Sequence, residues 1–371
     1  MASIEKRKRG GKVSYRVSYR DPEGHQRSQS FSRRVDADAF RASVEIDLRR
    51  GAYVNPEAGH RLFGDYAEEW RQARVHRPTT AAQVETHLRR QILPAFGDRP
   101  IGSIRPTQVQ AWVKHLGETL APGTVTVVYR YLASMFRSAV ADGLIVQSPC
   151  RGVVLPKRER PRVAPLGTEE VHALVEATPP RYRAAVVLAA GTGMRQGEVF
   201  GLTVANVDFP RRRLEVVQQL VTVQGRAPFL GPPKTDASYR TVPLPDVVLH
   251  ALVAHLAAHP ASSEGLVFTN DRDKPINRTR FSDVWRRVVV DAGVLRGTGF
   301  HALRHYYASL LIRHGESVKV VQSRLGHASA AETLDTYSHL WPDSEDRTRQ
   351  AIDAVLGADQ SVSPLRAAPP R

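Results

Sequence analysis

The stretch "AAGTGMRQGEV" at residues 189–199 decides how the rest of the chain is read. An apolar run at 184–190 ends in glycines, and a helical pattern resumes at once. A dinucleotide-binding turn needs G-x-G-x-x-G between a strand and a helix, with an acid about 20 residues further on. Gly191 and Gly193 fit that pattern. Gln196 breaks it, and the next glycine, Gly197, arrives one residue late. The preceding run is alanine-rich, which suits a buried helix, and no strand–helix alternation follows. The other reading turns on Arg195. Here the glycines end one helix and let the next begin, leaving Arg195 in its first turn, where free N–H groups and the helix dipole favour a phosphate. Glu198, three residues on, lies near the same face and can hold a neighbouring cation or hydroxyl.

The bulk composition agrees with an anionic partner. The chain has 371 residues, with 53 Lys and Arg against 37 Asp and Glu, a formal charge of +16 and a pI near 10.3. Such a surplus points to a polyanion, of which nucleic acid is the commonest. No 18-residue apolar stretch and no secretory pattern is present, so a membrane role is not expected. A single cysteine, Cys150, leaves no internal disulfide framework or cysteine metal cluster. These features read as a soluble protein of a reducing compartment.

Outward from the opening stretch, the chain divides by pattern. Residues 1–55 hold 13 Lys and Arg against 7 acids. "VSYRVSYR" alternates Val13, Tyr15, Val17 and Tyr19 with Ser14, Arg16, Ser18 and Arg20, a half-buried strand with a basic outer face. "DPEG" turns it into a second strand, and a helix follows to Gly51. A sheet backed by a helix suits a DNA major groove. Residues 60–150 read as four short amphipathic helices forming a bundle, one with Thr79 or Thr80 as N-cap and one starting near Pro106. Residues 151–165 form a linker, basic and proline-rich from 155, with Arg158, Arg160 and Arg162 available to phosphates. Residues 166–357 form the largest unit, mainly helical with a strand-rich insert around "GPPKTDAS". Helices are expected at 245–259, 279–292, 301–314, 317–325 and 343–355. The tail at 358–371 reads as disordered.

The largest unit carries several candidates. "HALRH" places His301 and Arg304 three apart on a helix, pointing the same way. "LGHAS" sets His327 after Gly326 at a helix end, Tyr337 follows ten residues on, and Lys234 sits in the turn of the β segment. His301 and His305 have the i, i+4 spacing of zinc ligands. The intervening Ala-Leu-Arg offers no glutamate base, and an arginine beside a metal is unfavourable.

Taken in order, the arginine of "GTGMRQGE", a lysine in a β-turn, H-x-x-R, "LGH" and a late tyrosine resemble the tyrosine recombinases, the phage-integrase family. The resemblance runs end to end. It implies a multidomain, mainly α fold with small β-sheets: a small α+β arm-binding domain, a helical-bundle (SAM-like) core-binding domain and a mixed α/β catalytic domain.

For the residues, the resemblance implies Tyr337 as nucleophile, and Arg195, Arg304, His301 and His327 as donors to the phosphate. Lys234 would be the general acid, and Glu198 would orient its neighbours. Tyr306, Tyr307 and Tyr239 lack the "LGH…Y" context. Two guanidiniums suit two non-bridging oxygens, so neither a metal nor ATP is called for. Arg16 and Arg20 would contact arm-site DNA. The implied partners are double-stranded DNA at core and arm attachment sites and a homotetramer assembled on it. An excisionase-type directionality factor and a host DNA-bending protein are left open. The implied place is the bacterial cytoplasm, at the nucleoid. A type IB topoisomerase, or a DNA-binding protein with a decayed site, would share parts of this pattern.

Overall fold

The computed structural model describes residues 2–9, 12–22, 24–51, 53–55, 57–157, 163–341 and 345–356. The chain forms two compact units, residues 1–160 and 161–371. Arg158, Arg160, Arg162 and the tail at 358–371 lie outside the described residues.

In the first unit, three antiparallel strands lie in the order β1 (Ser3–Arg9), β2 (Lys12–Arg20), β3 (Gln26–Phe31). Alternation along β2 turns Val17 and Tyr19 inward, where Ala37 and Val44 of helix α1 (Arg34–Arg50) cover them. Gly51 stops α1 with φ 65°, the left-handed turn that glycine adopts without strain. Strand β1 was not foreseen: its charges, "SIEKRKR", hide the inward position of Ile4, which pairs with Val17. Arg16 and Arg20 lie on the opposite face from Val17. Arg16 Nη2 donates to Ser28 Oγ at 2.6 Å, and Arg20 is exposed opposite Gln26.

Prolines open the bundle that follows. Its helices are α2 (Phe63–Ala73), α3 (Pro78–His87), α4 (Leu93–Phe96), α5 (Pro106–Thr119) and α6 (Pro122–Ala141). In α3, α5 and α6 the first residue is proline, whose fixed φ and missing N–H cost nothing there. The expected threonine cap of α3 is therefore corrected: Arg77 is the N-cap and makes no side-chain cap bond. Between α3 and α4 a π turn (Leu88–Ile92) widens the helix just before Pro94, where a normal turn would meet the proline ring. Phe63 stacks on Phe136 at 5.0 Å between centroids, and Phe96 meets Trp112 edge-on. The linker's first part is held: Gln110 bonds both the N–H and the carbonyl of Val154, at 2.8 and 3.0 Å. Burial pushes the Cys150 thiol up to about 12, so it is an unreactive core group.

The second unit begins with α7 (Thr168–Ala177), α8 (Pro180–Thr192) and the short α9 (Gln196–Phe200). Two small antiparallel sheets follow, β4 (Val207–Asp208), β5 (Arg213–Val216) and β8 (Arg240–Pro243) in one, β6 (Gln219–Val221) and β7 (Phe229–Gly231) in the other. Six helices complete it: α10 (Asp246–Ala258), α11 (Arg278–Asp291), α12 (Ala302–Arg313), α13 (Val318–Leu325), α14 (Ala330–Tyr337) and α15 (Glu345–Leu356). The alanine-rich α8 is buried along most of its length, and Phe200, Phe281, Trp285 and Phe300 interlock beside it. No helix among the described residues is long and apolar enough to cross a membrane.

Candidate active site

Two glycines in the left-handed region frame the site. Gly193 ends α8 with φ 65°, and Gly326 ends α13 with φ 64°. A side chain at Gly193 would collide with the Tyr307 ring, and one at Gly326 would meet the Ala237 carbonyl at 2.9 Å. Both positions thus require glycine for conformation and for space. The caps leave carbonyls for two arginines. Arg304 donates to Gly193 O at 2.7 Å and to Leu325 O at 2.6 Å. Arg195 Nη2 donates to Gly326 O at 3.2 Å. Consecutive carbonyls, 325 and 326, therefore hold the two guanidiniums side by side.

Arg195 is the N-cap of α9, with extended backbone (φ −71°, ψ 150°), rather than a residue of its first turn. Its N–H donates to Glu198 Oε2 and its Nη1 to Glu198 Oε1, each at 2.9 Å. A second cation, Arg240, donates Nη2 to Glu198 Oε2 at 2.8 Å. Glu198 is only 2% exposed. Burial opposes its charge, yet Arg240 and Arg195 outweigh it and hold the carboxyl below its ordinary range. Arg240 is itself fixed by the carbonyls of Arg324 and Ser238, and Ser238 Oγ accepts from Arg195 Nη1 at 3.2 Å.

The histidines line the same cleft. His301 is the N-cap of α12 rather than its first residue, one turn before Arg304. Its ring meets that of His305 edge-on at 4.9 Å. His301 keeps an exposed edge, yet falls to about 4: the cleft withdraws part of the ring from water, and His305 and Arg304 oppose another positive charge. His327 follows Gly326, with Nδ1 at 2.9 Å from Thr333 Oγ1. Burial, then Arg304 and Arg195, push it down to about 3. Arg304, 2% exposed, is lowered to about 9 by burial and by Arg195. Two crowded cations in a buried cleft are relieved by an anion.

Tyr337 ends α14 and is 1% exposed. Its ring lies parallel to His327 at 6.4 Å, and its hydroxyl is 2.7 Å from His305 Nδ1. Burial raises the phenol to about 12 against the pull of Arg304 and Arg195. The competing tyrosines have other surroundings: Tyr306 bonds Thr168, Tyr307 packs on Gly193, and Tyr239 is exposed.

Arg195, Glu198, His301, Arg304, His327 and Tyr337 thus converge. Lys234 does not touch them. It is exposed in the bend after β7, although Ser238, four residues on, anchors that loop to Arg195. Arg240, Ser238 and Thr333 escaped the sequence reading, since no spacing marks them. His305 was visible in "HALRH" but weighed only as a metal ligand. Among the described residues no group of three His, Cys, Asp or Glu side chains converges as a metal site. The site instead sets Arg195 and Arg304 close enough to act electrostatically on one buried tyrosine, with imidazoles of His305 and His327 beside its ring. Guanidiniums are suited to a phosphodiester.

Known proteins resemble this chain in sequence and in fold. The Phage integrase family profile matches residues 165–343, and the Phage integrase central domain profile matches residues 63–154. A prophage phiRv2 integrase of Mycobacterium tuberculosis is 29% identical over 364 residues, covering 94% of each chain. A XerC-like tyrosine recombinase of Caldanaerobacter subterraneus is 27% identical, over 94% of this chain and 98% of the relative. The Tn1549 transposon integrase, solved with a circular intermediate DNA, has a TM-score of 0.68 at 23% identity over 78% of this chain and 98% of that one. A lambda integrase tetramer bound to a Holliday junction has a TM-score of 0.60 at 18% identity, over 92% and 98%. Both share the multidomain, mainly helical architecture with small antiparallel sheets. The chain belongs to the phage integrase family and is an enzyme of the tyrosine recombinase class.

Proposed function

We propose that this enzyme integrates a phage or other mobile element by cutting and rejoining DNA at specific sites, with Tyr337 as nucleophile. The observation that carries the reading is a buried phenol beside two guanidiniums held by consecutive carbonyls, Leu325 and Gly326. Tyr337 Oη attacks the scissile phosphorus, the bond to the 5′-oxygen breaks, and a 3′-phosphotyrosyl link remains. Arg195 and Arg304 have N–H groups beyond those bonded to carbonyls, and these take the charge building on the non-bridging oxygens. Thr333 can donate to His327 Nδ1, which leaves the opposite N–H of that ring for the same oxygens. His301 adds a further donor. Lys234, on an exposed bend anchored through Ser238, supplies the proton to the departing oxygen. Glu198 aligns Arg195 through two hydrogen bonds, one from its backbone N–H and one from Nη1. Neither metal nor ATP enters, because the phosphotyrosyl bond keeps the energy of the bond it replaces.

Four protomers pair two DNA sites and exchange strands through a Holliday junction, a reading supported by the lambda integrase tetramer seen on such a junction. The sheet of residues 1–55 binds arm sites through Arg16 and Arg20, and the bundle binds the core site. A directionality factor selects excision. The setting is the bacterial cytoplasm.

Tyr337→Phe tests the reading. The variant is expected to bind nicked attachment-site DNA as the parent does and to form no covalent adduct on a denaturing gel. An adduct formed by this variant overturns the assignment.

A further inference from the structure

Three histidines stand around Tyr337, and they differ in what they touch. His327 lies parallel to the phenol ring and has its Nδ1 bonded to Thr333. His301 reaches the ring of His305. His305 alone of the three bonds the hydroxyl, Nδ1 to Oη, at 2.7 Å. The phenol is buried, so its proton cannot pass directly to bulk water as the oxygen attacks. We propose that His305 is a further catalytic residue, the general base that takes the Tyr337 proton. This rests on Tyr337 being the nucleophile.

The hydrogen bond fixes the chemistry. With the phenol donating, Nδ1 is the bare nitrogen and Nε2 carries the hydrogen. During attack the Oη–P bond forms, the P–O5′ bond breaks, and the phenol proton moves to Nδ1. The 5′-oxygen takes its own proton from the Lys234 ammonium, so protons balance. On rejoining, His305 returns its proton to Oη as the phosphotyrosyl bond breaks.

The charged and titratable neighbours are Arg304 on α12, His301 at its N-cap, His327 after α13, and Tyr337 on α14. Burial and Arg304 keep His305 below its ordinary range, hence uncharged and able to accept at neutral pH. The imidazolium that forms would be opposed by Arg304 in an empty cleft. The negative charge growing on the phosphate offsets that opposition at the moment the proton moves.

The test uses the full chain and single-turnover adduct formation on nicked attachment-site DNA across pH. His305→Asn places an acceptor oxygen near the position of Nδ1 but cannot take the proton. Adduct formation is expected to slow by about 10²-fold or more, with DNA affinity unchanged and the low-pH limb of the rate profile abolished. Sulfur in place of the bridging 5′-oxygen removes the need for an acid, and so is expected to rescue Lys234→Ala but not His305→Asn. If His305→Asn does not fold, His305→Gln serves in the same assay. Parental rates in His305→Asn, or a limb lost in His301→Asn but kept in His305→Asn, overturn the proposal. Tyr337→Phe, run alongside, separates the two readings: an adduct there removes the nucleophile itself, whereas its absence together with a fast His305→Asn removes only the base.

Discussion

Glu198 shows how one buried carboxylate can hold two cations together. It sits between Arg195 and Arg240, at 2.9 and 2.8 Å, almost fully buried. Glu198→Gln leaves two guanidiniums facing each other across a neutral amide. Breaking a buried pair from one side costs about 3–5 kcal/mol, and denaturant titration at neutral pH is expected to show a loss of that order. The pH dependence has a definite sign. The folded carboxyl lies below its ordinary value of 4.5, so on acidification the unfolded chain binds the proton first. The stabilisation is complete above about 4.5 and is lost as pH falls through the folded value. The gap between parent and variant therefore narrows in acid, and a pH-independent gap would refute the electrostatic account. Glu198 was readable because it stands three residues from Arg195, in the first turn of the helix that Arg195 caps. Arg240 was not, because it arrives 42 residues later from a strand edge, and only the tertiary fold reveals that distance as a contact.

At the scale of elements, starts and stops were the most legible features. Gly51 and Gly193 were read as helix ends, and each adopts the left-handed turn. Strand β1 was hidden by its charges, and α14 by its brevity and mixed composition, although it delivers Tyr337 on its last turn. The α13 cap offers an element-level test because a control lies in the same unit. Gly326 (φ +64°) and Gly315 (φ +84°) are both left-handed, but a Cβ at Gly315 meets open space, whereas at Gly326 it crowds Ala237 O and Arg240 Nη1. Alanine at either site costs about 1–2 kcal/mol from conformation alone. Gly326→Ala is expected to slow adduct formation as well, by on the order of 10²-fold, because small displacements of a positioned donor are that costly. Equal activity in the two variants would mean that the Gly326 carbonyl does not position Arg195.

Over the whole molecule, positive charge is spread across structures with separate cores. Val17, Tyr19, Ala37 and Val44 close the N-terminal sheet, while the bundle core begins at Phe63 and includes no residue of that sheet. Removing residues 1–55 therefore deletes one core and leaves the bundle core and the catalytic unit's clusters whole. It also deletes 13 Lys and Arg, together with the outer face that carries Arg16 and Arg20. Each DNA phosphate that is no longer neutralised should lower the salt dependence of binding by about 0.9 in the log–log slope. The truncated chain is expected to cleave an isolated core site at close to the parental rate. On DNA bearing arm sites it should bind with a shallower salt slope and fail to complete integration. The point variant Arg16→Ala/Arg20→Ala, in the full chain, should reproduce the shallower slope with every core intact. Parental integration by the truncated chain would show that the basic sheet has another partner.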